Sequence, residues 1–591
     1  MSNDSIKAMQ SSQNDEENTI EVIPIVSSGT SGEIERIVDV EETPTPIDVQ
    51  AEQPNERREL VKSASLVMVG NLGSSVMGLV RQMVVAATGT TISAPFLAAF
   101  RPTQTFYDLL ANGAVSGALI PTFNDYSAPE KRQELRRLVF TLVNLMVLIM
   151  GVAVIFFLFV SPWFVRTILV PGYDAKALQR TIHLSQIIFI ALIGLGPFAI
   201  LLAALYALKE FGWPAFATVA AHTGIILGVI IGSAIGLQQH GYLGLGFGVL
   251  IGTIGELALL LPGLRRQRLT YMFVLDLKHP ALLKILKLYA PVAFSFLVSM
   301  IIVFLDQSLS SNTPCLSFIH GMSRASCSQA NSAAKDFATT LIQFPVGLVA
   351  AALSFAILPT LTTHIREGRN EQFKDTLLLG FRLGLLLMIP AAAGLIVLQG
   401  PIIRLIFEHG SYTPQQAQLA SIALQNYAYQ LPFLAIDQLL ISAFYARKNT
   451  IIPVTVGFVS VGGYLLVALP FWNTIGMPAL VFANTVQNSS HAIILLILLR
   501  FAIGPLHMRK TLPAIGKILV ATALMVLVAG ALLAGMKQIA FLTSDTVFVN
   551  LILVVVAGGL GAATYFGGTM FLKVEEIHLL KGAIMAKLGK R

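Results

Sequence analysis

The sequence predicts an all-α integral membrane protein: about fourteen transmembrane helices, forming two pseudo-symmetric six-helix lobes plus two C-terminal helices around a central cavity. Three observations carry this. Of 591 residues, 55% are hydrophobic and only 12% charged, with a mean hydropathy of +0.72, far more apolar than a soluble protein. Apolar runs such as 138–160 hold almost no charge over the roughly 20 residues that a spanning helix needs. Short sequences also recur at an offset of 238–239 residues, so one bundle is written twice.

The chain opens with residues 1–60, rich in Ser, Thr, Glu, Asp and Pro. That composition buries too little apolar surface to fold, so a disordered acidic cytoplasmic tail is expected. No apolar core of a signal peptide precedes Lys62. Spans are then expected at 62–87, 94–125, 138–161, 181–209, 213–236, 241–263, 284–310, 333–364, 375–398, 414–446, 451–473, 477–502, 513–535 and 547–573. They group into an N-terminal lobe over 61–265, a C-terminal lobe over 266–505, and helices 13 and 14 with a basic tail over 506–591.

The formal net charge of +8 is not a nucleic-acid signature, because the basic residues lie in short clusters between spans and not along one face. Arg57, Arg58 and Lys62 precede the first span; Lys131, Arg132, Arg136 and Arg137 follow the second; Arg265, Arg266 and Arg268 follow the sixth; Lys581, Lys587, Lys590 and Arg591 close the chain. These clusters fall on one side of the membrane, so both termini are expected in the cytoplasm. Two cysteines make no metal cluster. Neither a nucleotide-binding loop nor a hydrolase motif occurs, so no enzyme is expected.

The repeat is concrete. Ala118-Leu119-Ile120-Pro121-Thr122 recurs as Ala356-Ile357-Leu358-Pro359-Thr360, and Ala204-Leu205-Tyr206-Ala207-Leu208-Lys209 as Ala443-Phe444-Tyr445-Ala446-Arg447-Lys448. Six spans separate equivalent points, so the copies share an orientation and are related by an axis along the membrane normal.

Charges inside apolar sequence mark function, because each costs roughly 2.5–3.5 kcal/mol at the bilayer centre. Arg81, Arg101 and Asp108 sit this way within 74–126. The surrounding pattern is Gly78-Leu79-Val80-Arg81-Gln82, a Gly-Thr break at 88–91, Ala99-Phe100-Arg101-Pro102, then Asn112-Gly113-Ala114 and Ala118-Leu119-Ile120-Pro121. With Leu341-Ile342-Gln343-Phe344-Pro345-Val346-Gly347 and Ala443 to Thr450 ahead of Pro453, it resembles the MurJ/MviN family, lipid II flippases of the multidrug/oligosaccharidyl-lipid/polysaccharide exporter superfamily. The likeness runs from about Lys62 to the C-terminus.

The resemblance implies a flippase of the bacterial cytoplasmic membrane that moves an undecaprenyl-pyrophosphate-linked glycan by alternating access, for cell-wall synthesis. Its partners are that substrate and membrane lipids, with no cofactor beyond a coupling monovalent cation or proton. Candidate substrate-binding residues are Arg81, Arg101, Asp108 and Asn112. Arginine suits a pyrophosphate because its planar fork gives bidentate, charge-assisted bonds; the alternative for Arg81 and Arg101 is snorkelling to the interface. Asp306 matches a position where the family often has an acid associated with a coupling cation, and an interhelical hydrogen bond would equally explain it. Asp437 and Glu256 are weaker candidates on the same argument, and His183 and His222 read as packing residues.

Departures from the family pattern are as informative. Ser75, Ala94, Tyr107, Asn112 and Thr339-Thr340 stand where the family carries charges. Either Asp108 and Lys335-Asp336 have taken over, or the substrate is another polyprenyl-linked glycan or amphipathic compound, or the protein is a membrane scaffold without transport. Residues 310–333 read as a polar outer connection in which Cys315 and Cys327 either bridge or remain free thiols. Pro197, Pro291, Pro345 and Pro432 would kink or break their helices.

Overall fold

The computed structural model describes residues 54–110, 118–317, 321–506, 508–509, 511–544 and 546–577; at 54–69, 291–299, 348–356, 358–359 and 543 only the backbone is described. The chain divides after Arg58 into two units, and Glu59–Arg591 holds the packed helices. All regular elements among the described residues are helical.

The first lobe comprises α1 (Pro54–Ala87), α2 (Thr90–Asp108), the short α3 (Ile120–Asn124), α4 (Arg132–Phe164), α5 (Ala175–Phe189), α6 (Leu192–Ala207), α7 (Ala217–Ile235) and α8 (Leu243–Arg266). The second comprises α9 (Pro280–Asn312), α10 (Arg324–Ala356), α11 (Leu358–Arg366), α12 (Asn370–Phe407), α13 (Pro414–Ala428), α14 (Leu431–Ala446), α15 (Ile451–Phe471) and α16 (Met477–Ile503). Finally α17 (Thr511–Met536) and α18 (Val547–Phe571) pack on each other and on α12.

The repeat is written into the helix ends. The bounds of α5 and α6 recur in α13 and α14 at an offset of 239. Each first helix is capped by its own side chain, Asp174 accepting from Ala177 N at 3.1 Å and Thr413 forming a capping box with Gln416; such caps contribute about 1 kcal/mol each. The second helix of each pair ends at a lysine in the left-handed region, Lys209 at φ 58° and Lys448 at φ 57°. Bends are repeated too. The expected span 181–209 is two helices meeting at 40°, with Pro197 inside the second, and 414–446 is broken ahead of α14, where Pro432 occupies the first turn.

Eight helices among the described residues are long and apolar enough to cross a membrane, nine if the bent α5–α6 pair is one span; the count of fourteen stays an expectation. The expected span 94–125 stops being regular α-helix at Asp108. The polar connection over 310–333 is corrected: α9 continues to Asn312 and α10 already starts at Arg324. Its polar side chains at 328, 329 and 331 are buried between elements and hydrogen-bonded, with Asn331 Nδ2 donating to Thr313 Oγ1 at 2.9 Å, Gln329 Nε2 to Asp174 Oδ1 at 3.1 Å, and Ser328 Oγ to the Ser311 carbonyl. Cys315 and Cys327, 12 residues apart, are joined in a disulfide that ties this connection to the first turn of α10.

Contact between α7 and α8 depends on missing side chains. Gly224, Gly228 and Gly232 face Gly244, Gly248 and Gly252, and a Cβ on Gly248 would stand 2.7 Å from the Gly224 carbonyl oxygen and 3.0 Å from Gly228 Cα. Small residues at this spacing let membrane helices approach backbone to backbone. Gly248→Ala is expected to force the pair apart and cost about 2 kcal/mol. Thermal unfolding in detergent checks this: the melting temperature falls by several degrees, whereas the same change at Gly516, with open space around it, leaves it in place.

Candidate functional site

Two chambers meet at Arg81. The smaller, about 180 Å³, lies inside the first lobe between α1, α2, α7 and α8, and is lined by Thr103, Gln104, Tyr107, Thr253 and Glu256. The larger, about 650 Å³, lies between the lobes against α10 and α12, where Thr340, Gln343, Pro345 and Gly394 line it. Ser74, Arg81 and His222 belong to both walls.

The lining is polar in a way the protein does not itself satisfy. Arg81 Nε, His222 Nδ1, Glu256 Oε2 and Thr103 Oγ1 are buried with no hydrogen-bond partner among the described residues. Glu256 is only 3% exposed, and His222 Nε2 lies 3.5 Å from Ser74 Oγ. An unmade bond of this kind costs about 1–3 kcal/mol, and more for charged groups, so the cluster persists only if water or a bound polar group completes it.

A charged and hydrogen-bonded clasp joins the lobes across this space. Arg101 of α2 pairs with Asp336 of α10, Gln82 Nε2 donates to Thr340 Oγ1 at 3.1 Å, and Gln416 Nε2 donates to Thr90 Oγ1 at 2.7 Å in a buried contact. The backbone joins in: Ser411 N donates to the Ala87 carbonyl at 2.8 Å, an approach that leaves Gly410, at φ +60°, no room for a side chain. Tyr412, in the same loop, donates to the Gln416 carbonyl at 3.1 Å, and burial pushes its phenol well above the ordinary range, so it remains a donor at any working pH. The other end is tied by Lys284 Nζ to Asp125 Oδ2 at 2.7 Å, between exposed side chains, which is worth under about 1 kcal/mol.

Of the residues singled out in the sequence, Arg81 lines both chambers. Arg101 is committed to Asp336 and serves the clasp. Asp108 ends α2, accepts from Gln104 Nε2 at 3.0 Å and lines neither chamber; Asn112 lies outside the described residues. Asp306 has two partners within the second lobe. Buried Lys335 places its ammonium on Asp306 Oδ2, and Tyr464 donates to Asp306 Oδ1 at 2.7 Å. Asp437 pairs with His491 Nδ1 at 2.6 Å.

Sequence reasoning missed His222, whose position on an apolar face gave no sign that α1 would bring Arg81 to it, and ranked Glu256 low. Thr339-Thr340, where the family pattern has an Asp-Arg pair, make neutral bonds: Thr340 Oγ1 donates to the Asp336 carbonyl at 3.0 Å, and Thr339 Oγ1 to the Lys335 carbonyl at 2.8 Å. The charges stand one turn earlier on α10, as Lys335-Asp336.

Beside the larger chamber runs an apolar groove of about 250 Å³ between α12, α17 and α18. Groove and chamber share Ala391 and Gly394.

Residues 85–552 match the family described as lipid II flippase MurJ. A probable lipid II flippase MurJ of Bdellovibrio bacteriovorus is 27% identical over 539 residues, covering 89% of this chain and 97% of its own. One from Vibrio cholerae is 28% identical over 536 residues, covering 88% and 97%. Among solved structures, a lipid II flippase MurJ in an inward closed conformation shares the fold with a TM-score of 0.68 at 22% identity, over 86% of this chain and 99% of that one. An inward-facing multidrug resistance MATE family transporter of the MOP superfamily follows with 0.58 at 15% identity, over 74% and 98%.

Proposed function

The chain belongs to the lipid II flippase MurJ family, and from that premise we propose that it carries lipid II, the undecaprenyl-pyrophosphate-linked peptidoglycan precursor, across the cytoplasmic membrane by alternating access. It is a multi-pass protein of the bacterial inner membrane; the placement of its basic clusters supports cytoplasmic termini. The observation that carries the reading is Arg81, a guanidinium in the wall of both chambers whose Nε has no protein partner among the described residues.

Such a group can hold one phosphate of a pyrophosphate, and Thr340 and Gln343 across the larger chamber offer neutral bonds to the rest of the head group. The lipid tail has to stay in hydrocarbon throughout, and the α12–α17–α18 groove that opens on the chamber at Ala391 and Gly394 suits it. Separating Arg101 from Asp336 and Gln416 from Thr90 opens the clasp and turns the cavity to the other side. An inside-negative potential favours outward movement of the anionic head group by about 2.3 kcal/mol per charge per 100 mV. Because Lys335 already supplies the positive charge beside Asp306, the cycle needs no free monovalent cation there.

Rescue of a strain depleted of its own flippase tests the assignment. Growth and restored lipid II translocation are expected from the full chain. A correctly inserted protein that gives neither overturns lipid II as its substrate.

A further inference from the structure

A third cavity, of about 680 Å³, lies apart from the two chambers, where α12 ends and α17 turns toward α18. Its wall carries Arg404 and Lys537, with Gln399, Gln425, Ser421 and Asn550 between them; among the described residues no carboxylate lines it. Arg404 is steadied from behind by Glu408, Nε to Oε2 at 3.6 Å, and Gln399 Nε2 donates to Gln425 Oε1 at 3.2 Å. Two cations among amides and hydroxyls suit a phosphate bearing a polar substituent.

This pocket and the apolar groove lie end to end on the same three helices. Val397, Leu533 and Leu553 edge the pocket, and Leu398, Ala529 and Ala557 edge the groove. Neighbouring positions on each helix are thus at most four residues apart, a rise of about 6 Å. A cationic polar pocket standing directly on an apolar slot has the shape of an amphiphile.

We propose that this pair of cavities is a second lipid site: Arg404 and Lys537 hold the phosphate of a lipid head group outside the central cavity, and one of its chains lies in the groove. The use of the groove rests on the tail path proposed above; the head-group pocket stands on its own lining. The same chemistry admits a bilayer phospholipid, or a polyprenyl-linked phosphate that has left the central cavity with its tail still in the groove.

Native mass spectrometry of the full chain tests this, after delipidation and titration with phosphatidylglycerol in one arm and undecaprenyl phosphate in the other. Arg404→Gln/Lys537→Gln is expected to lower retention about tenfold, through loss of the charge-assisted bonds, in whichever arm supplies the lipid. Ala557→Trp, which fills the groove, is expected to lower retention with the head-group pocket intact. In the phosphatidylglycerol arm Arg81→Ala leaves retention unchanged. Unaltered retention in the double variant overturns the proposal, and so does loss of phosphatidylglycerol from Arg81→Ala, which would place that lipid in the central cavity. Persistent flipping by Arg81→Ala would instead count against the central-cavity reading and leave this site standing. Matched melting temperatures confirm that each variant is folded.

Discussion

Arg81→Ala abolishes rescue of flippase-depleted cells at matched membrane levels and lowers lipid II translocation in proteoliposomes by about 100-fold, equivalent to about 3 kcal/mol. The magnitude follows from what is removed. A charge-assisted, bidentate contact with a phosphate in a poorly hydrated cavity has no substitute in water, and truncating one partner of a buried charged pair costs about 2–5 kcal/mol. No other arginine or lysine among the described residues lines the two chambers, so none of these compensates. Arg81→Lys restores part of the activity, because the charge returns without the planar fork. The variant is expected to fold normally, since Arg81 Nε makes no protein bond among the described residues, and its melting temperature to match the parent or exceed it. Translocation by Arg81→Ala within twofold of the parent would remove Arg81 from the path.

The fold was legible because it rests on quantities a sequence carries directly. Apolar length gives the membrane, and the repeat of Ala204–Lys209 in Ala443–Lys448 gives two lobes, a repeat then visible in Lys209 and Lys448 sharing one backbone conformation. The glycine rows of α7 and α8 were equally open to reading, as small residues four apart.

What the sequence hid were pairings between distant helices. Arg101 and Asp336 lie 235 positions apart, and nothing local says that one neutralises the other; nor does anything local pair Gln82 with Thr340 or place Arg81 and His222 in one cavity wall. The first nine residues of α10, 324–332, were misplaced for a related reason. Serine, asparagine and glutamine over 323–332 look like a solvated loop until another element supplies their partners, and here Asp174, Ser311 and Thr313 do so. Local propensity cannot see those partners, and in a membrane protein they decide whether a polar segment can be buried at all.

Lys335→Met carries the second large effect, because it turns a self-contained site into one that needs an ion. In the parent the Asp306 carboxylate is held by the Lys335 ammonium and the Tyr464 hydroxyl, so stability and transport are indifferent to replacing sodium by choline at constant ionic strength. Removing the ammonium leaves a largely buried carboxylate with the phenol alone, and breaking a buried pair from one side costs about 3–5 kcal/mol. The variant is expected to melt well below the parent in choline and to regain much of the loss in sodium, since binding to the native state alone stabilises it in proportion to the logarithm of ion concentration. Asp306→Asn/Lys335→Met removes both charges together. It should recover most of the stability and lose the sodium response, because replacing both partners of a buried pair is far cheaper than orphaning one. If the parent itself needs sodium for stability or transport, Lys335 does not stand in for the ion and the account of Asp306 fails. If Lys335→Met melts like the parent in choline, the pair carries no weight in the fold. The three proteins in two salts separate these cases, and the choice bears on mechanism: a carboxylate with a tethered counter-ion cannot exchange cations between the two sides of the membrane, so outward movement would draw on the potential acting on the head group.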